Sequence, residues 1–344
     1  MLKRVFLLAA LSGLIGVSLA SAAPRGFAWH DTATGTDAHL RGLSAVSATT
    51  AWASGYVGTV LRTTDRGATW QHVGPPGTQS LQFRDIEAFD AQRAVIMSVG
   101  DNPGDFRIYV TANGGQTWTL TQQNTNPGAF YDCMTFFDDR RGLLLSDPPD
   151  GQHFLVLATD DGGLHWHQTG LQMPQALPGE AGFAASGQCI TSDHGHRAWF
   201  GTSAGRVFRS DDRGVSWTVS QTPVASGAGT NGIFALAFRG QQHGIAVGGD
   251  FAAPTASPNN FARTDDGGRT WSLIPGAPAE YRSGVTWVDG HTVIAVGPSG
   301  SDVSTDRGTT WHRFDEGSLD TVDCASPVAC WASGANGRVA YLER

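Results

Sequence analysis

The chain has 344 residues, with 23 Lys and Arg against 31 Asp and Glu and a formal net charge of −8. That acidic balance argues against nucleic-acid or anionic-membrane binding, both of which call for clustered cations. With 45 glycines, 11 tryptophans and only 16% charged residues, the composition is that of a turn-rich β protein with a substantial core, not of a disordered chain.

In chain order, the first predicted element is a secretory signal. Lys3 and Arg4 form a positive start, an apolar run extends from Val5 to Val17, and Ala20-Ser21-Ala22 offers a small-x-small cleavage site. Residues 1–22 are therefore expected to be a signal peptide and 23–344 a single domain, exported to the periplasm or the extracellular space. The apolar run is too short to span a bilayer, no other stretch reaches the roughly 18–20 apolar residues a transmembrane helix needs, and no Cys follows the run to carry a lipid.

The next signal is internal repetition. One octet recurs six times, as TTDRGATW, TANGGQTW, TDDGGLHW, SDDRGVSW, TDDGGRTW and STDRGTTW, ending at Trp70, Trp118, Trp166, Trp217, Trp271 and Trp311. The spacings of 48, 48, 51, 54 and 40 residues each fit one four-stranded propeller blade. Within the octet, Asp65, Asn113, Asp161, Asp212, Asp266 and Asp306 are expected to accept backbone hydrogen bonds across a tight turn, with glycine supplying positive φ and Trp opening the next strand. A structural role for these residues is preferred over calcium binding or catalysis.

Three strand-like runs precede each octet, clearest as LSAVS, AWASG and GTVLRTT in the first repeat. The C-terminal segment SLDTVDCASPVACWASGANGRVAYLE repeats this pattern and stops where an octet would come, while FAWH at 27–30 resembles the strand that follows each octet. The two ends are thus expected to share a seventh blade and close the ring of an all-β, seven-bladed β-propeller. No helical periodicity is sustained.

Of four cysteines, Cys324 and Cys330 flank a hairpin-sized interval and are expected to form a disulfide in an exported protein. Cys133 and Cys189 fall near the same strand of successive repeats and are weaker candidates for a second bridge. No CxxC motif or zinc spacing is present, and no metal or cofactor is expected.

The octets resemble the Asp-box, or bacterial neuraminidase (BNR), repeat. The segments FYDCMTFFDDRRGLLLSDPPDGQ, GEAGFAASG, NGIFALAFRGQQHGIAVGGDF and YRSGVTWV extend the resemblance to the bacterial branch of the photosystem II stability/assembly factor-like family, over nearly the whole mature chain. This resemblance implies an exported seven-bladed propeller and a non-enzymatic binding role. Photosynthetic members of the family grip a membrane-protein partner through an arginine patch; the present chain offers fewer arginines and an acidic balance.

Blade topology directs attention to the face opposite the octets, where the inter-blade loops and the loops between second and third strands emerge. Arg84, Asp132, Glu180 and Arg282, near the starts of innermost strands, are expected to surround the channel mouth, with Ser186, Asp250 and Ser299 as further ligand-binding candidates. Paired guanidinium donors suit an anionic or sugar ligand, although the same charges could instead pair with one another and plug the mouth. The favoured reading is a monomeric, non-catalytic binding or assembly-factor-like propeller that engages a protein or glycan on this face. The alternative is a carbohydrate-active hydrolase or lyase using Glu180 with Asp132 or Asp147. A GxSxG match at Ser203 lacks the following helix of a nucleophile elbow, and His165, His167, His194 and His196 read as exposed strand or turn residues.

Overall fold

The computed structural model describes residues 26–344; the predicted signal peptide and its cleavage site lie outside the described residues. Seven four-stranded antiparallel sheets form the blades of a β-propeller. Six are continuous in sequence, over residues 40–72, 82–123, 131–169, 190–221, 231–273 and 284–315. The seventh is composite: the strand Ala28–Thr32 pairs antiparallel with the C-terminal strand Val339–Glu343, matching Ala28 to Glu343 and Thr32 to Val339, outside Ala329–Ser333 and Thr321–Ser326. The expected closure of the ring by both ends is therefore present. Trp29 also ties this outermost strand to blade six, its indole N–H donating to Ser301 Oγ at 3.0 Å.

Each octet builds one turn by a repeated set of bonds. In blade five, Asp266 Oδ1 accepts from the Thr270 amide at 3.0 Å and from Thr264 Oγ1 at 2.7 Å, while Oδ2 accepts from Thr270 Oγ1 at 2.7 Å. Thr264 Oγ1 in turn accepts from the Gly268 amide at 2.9 Å. The fifth octet position needs glycine twice over. At Gly163 and Gly308 φ is +87° and +79°, and a Cβ there would press on Val95 and Ile245 of the preceding blade. The octet tryptophans wedge between blades: Trp70 lies edge-on to Trp331 of blade seven at 6.0 Å and Trp311 to Phe261 of blade five at 4.9 Å. Because each strand alternates its faces, these residues fill a separate apolar cluster at nearly every blade junction.

Asp266→Ala should cost about 1–2 kcal/mol of stability, because amide and hydroxyl donors lose their acceptor. Asp266→Asn should cost much less, because Asn113 occupies the same octet position and engages the Thr117 amide at 2.9 Å and its hydroxyl at 2.8 Å. Denaturant melts of the two variants provide the comparison. Burial raises the Asp266 carboxyl, but the Thr270 bonds outweigh it and hold the group down to about 2. Its contribution is thus present above the ordinary Asp range, near 4, and lost as the pH falls toward about 2.

Both cysteine pairs are bonded, Cys133 to Cys189 and Cys324 to Cys330. The sequence ranked the first pair second, but the sheet registers explain it. Cys133 follows the bulge in the innermost strand of blade three, and Cys189 immediately precedes the innermost strand of blade four, so the two sulfurs meet across one blade junction.

Candidate functional site

In four blades the innermost strand carries a bulge near its start, and the extra residue is Arg41, Arg84, Asp132 or Phe234. A bulge bends its strand and re-aims one side chain. On the face opposite the octet turns, Arg41, Arg84 and Phe234 meet around a cavity of about 400 Å³ whose lining also includes His39, Phe183 and Tyr281.

The two guanidiniums flank Tyr56, with Arg84 5.2 Å and Arg41 5.8 Å from its ring centroid. Arg84 donates to Ala184 O at 2.7 Å, to Tyr56 Oη at 3.2 Å and to Gln82 Oε1 at 2.7 Å. Arg41 donates to Ala185 O at 3.3 Å, and its Nε is buried without a partner. Among the described residues neither arginine is paired with a carboxylate; the nearby Asp320 is bonded to His39 at 2.6 Å. Burial, and next the charge of Arg41, lower the Arg84 pKa, with Tyr56 and Asp320 opposing them in part. The other wall is aromatic: Phe183 stacks on Phe234 at 3.7 Å, Tyr281 meets Phe234 edge-on at 4.7 Å, and Phe251 is half exposed beside them.

Most residues expected from sequence to form the pocket sit elsewhere. Arg282 has a fully buried side chain and clasps Asp302 through Nε at 2.7 Å and Nη2 at 2.5 Å, with Ser299 Oγ 3.1 Å from Nη1. Glu180 is equally buried, accepting from Thr202 Oγ1 at 2.5 Å and pairing with Arg206. Asp132 is 1% exposed and faces Asp147 beneath the loop of residues 173–187. Ser186 is buried and donates to Ser283 O at 2.6 Å, while Asp250 caps its own loop through the Ala252 amide at 2.9 Å. Of the seven ligand-binding candidates, Arg84 alone lines this cavity. The carboxylate pair envisaged for a glycosidase is not displayed in an open cleft: Glu180 is tied to Arg206, and Asp132 and Asp147 lie under Gly182. Ser203 is a turn residue whose hydroxyl accepts from the Ala181 amide at 3.0 Å, and His165 pairs with Asp161 in its octet at 2.6 Å.

His39, Arg41, Tyr56, Phe183, Phe234 and Phe251 were not singled out from sequence. Laying LRGLSA over FRDIEA would have matched Arg41 to Arg84. The aromatic residues carried no such signal, because Phe183 and Phe251 lie on irregular loops.

The opposite channel mouth, on the octet face, is acidic. Asp85, Glu87 and Asp323 line a cavity of about 420 Å³. Burial pushes Asp85 up to about 8 although its oxygens accept the Met134 and Ile86 amides at 2.6 and 2.8 Å. Burial also raises Glu87, with added repulsion from Asp85 and Asp323. Among the described residues no group of three or more His, Cys, Asp or Glu side chains is arranged to hold a metal ion, and no helix is long and apolar enough to cross a membrane.

Fold and site together define a seven-bladed β-propeller with an arginine-and-aromatic pocket over one end of its channel. Among solved structures, it is similar to YCF48 bound to a D1 peptide, with TM-score 0.70 and 15% identity over 96% of this chain and 99% of that one. YCF48 from Cyanidioschyzon merolae superposes with TM-score 0.66 and 14% identity, over 92% of this chain and 98% of that one. The WD40 propeller domain of Doa1 superposes with TM-score 0.63 and 12% identity, over 92% and 97%. At these identities the likeness is one of fold. No protein-family model and no curated protein matches the chain in sequence.

Proposed function

We propose that the chain is a non-catalytic, exported propeller of the Asp-box type that binds an extended segment of a partner protein at the face opposite the octet turns. The carrying observation is the pair of guanidiniums, Arg41 and Arg84, without a carboxylate partner and beside an aromatic wall. Such a pocket suits a segment with a carboxylate next to an apolar side chain: the carboxylate meets two planar donors and the apolar group covers Phe234. The similarity to YCF48 bound to a D1 peptide supports a peptide over a glycan as ligand. The buried pairing of Glu180 and the enclosure of Asp132 count against the hydrolase reading.

The test is an array of peptides combining Asp or Glu with Phe or Leu, followed by fluorescence anisotropy on the hits. Arg84→Ala and Arg41→Ala should each weaken binding about tenfold or more, as expected for losing a charge-assisted contact worth about 1.5–3 kcal/mol. Peptide binding indifferent to the double substitution, or selective binding of a sugar panel instead, would sink the reading.

A further inference from the structure

The loop of residues 173–187 forms the wall of the pocket that carries Phe183, and two acids lie beneath it, one of them bonded to it. The Gly182 amide donates to Asp147 Oδ1 at 2.7 Å. Asp132 lies directly under the same glycine, so that a Cβ at position 182 would come within 2.8 Å of its carboxyl group. Asp132 is 1% exposed, and neither of its oxygens has a donor from an amide, hydroxyl or cation. The Asp132 carboxyl shares the underside of Gly182 with the Asp147 carboxyl, which accepts the Gly182 amide. Two carboxyl groups can bond to each other only when at least one holds a proton.

We propose that Asp132 and Asp147 share a proton that latches the pocket loop, and that losing this proton releases the loop and the Phe183 wall.

The surroundings leave few competing charges. From the loop comes Glu180, already taken by Arg206. The innermost strand of blade two brings Asp85, whose oxygens accept the Met134 and Ile86 amides. Beyond Asp147 lies Asp150, bonded to His153 at 2.8 Å. Arg84 and Arg41 reach the loop further along, at the Ala184 and Ala185 carbonyls, and supply the hold that remains when the acids separate. Burial raises both acids, Asp147 to about 6 and Asp132 well above the ordinary range, with the Asp147 charge adding to the effect on Asp132. The sign follows from linkage. The closed loop binds more protons than an open one with ordinary carboxyls, so closure is favoured at low pH and lost as the pH rises through the raised values. After Asp147 ionises, the proton left in the pair keeps the latch shut, and the latch opens when rising pH removes that proton as well.

The latch rests on the pocket reading only for its purpose, because its opening is read on the loop itself. Hydrogen–deuterium exchange of the full chain, corrected for intrinsic exchange, should show protection of residues 181–187 falling ~10-fold between about pH 6 and about pH 9.5 while the blade strands stay protected. Asp132→Asn places a permanent N–H donor opposite Asp147 and should abolish that fall; Asp147→Asn, the mirror replacement, should do the same. Equal protection at both pH values in the unaltered protein would overturn the proposal, as would an unchanged fall in either variant that folds. Protection at high pH restored by calcium would also overturn it, since a metal ion would then replace the proton. A peptide-binding failure with a normal pH response of the loop would count against the proposed function alone.

Discussion

Arg282→Ala is expected to destabilise the protein by about 3–5 kcal/mol, the loss typical of breaking a buried ion pair from one side. The guanidinium is fully enclosed and gives Asp302 its two shortest contacts, while Arg313 lies further from that carboxylate, at 3.7 Å, and is engaged by Glu280 at 2.6 Å. With Arg282 gone, Asp302 is left charged and nearly without compensation inside blade six. The double replacement Arg282→Met with Asp302→Leu removes both charges and should recover most of the loss, to within about 1–2 kcal/mol of the parent protein. Chemical denaturation of the three proteins decides the matter. A single variant as stable as the parent, but defective in binding the array peptides, would instead assign Arg282 to the ligand.

Removing the Cys133–Cys189 bond by a double alanine replacement ranks next in size. The bridge spans 56 residues and staples the innermost strand of blade three to the lead-in of blade four. The loop-closure entropy it removes from the unfolded chain corresponds to about 4 kcal/mol. The Cys324–Cys330 bridge closes a separation of only 6 residues within one hairpin and corresponds to about 2 kcal/mol. Thermal melts of both double variants, each with and without reductant, should therefore show the larger drop for the bridge between blades. Reductant should lower the parent melting temperature and leave unchanged that of a chain lacking all four cysteines. A larger drop for the hairpin bridge would mean that neighbouring blades are held together well enough without the disulfide.

Much of the architecture was legible because it rests on local rules. The octet needs an acceptor at its third position, glycine at its fifth and tryptophan at its eighth for reasons internal to one turn, so its recurrence from Trp70 to Trp311 marks one blade each time. The closing blade, with one strand from the N-terminus and three from the C-terminus, follows from the same pattern, since FAWH and the octet-less C-terminal segment complete one another, and Ala28–Thr32 does pair with Val339–Glu343. Which face carries the inter-blade loops also follows from strand alternation alone.

Spacing along the chain was enough to set the blade count, the closure of the ring and the face from which the inter-blade loops emerge. Which charges are free on that face emerges once the blades are assembled. Arg84 and Arg282 look alike in sequence, each beside the start of an innermost strand, yet Arg282 meets Asp302 across a blade while Arg84 meets carbonyls, a tyrosine and a second arginine. Partners of this kind come from residues as distant as 100 positions along the chain, as with Ala184. Whether a charge is buried in a pair or left available to a ligand is set by those contacts, to which no local pattern refers.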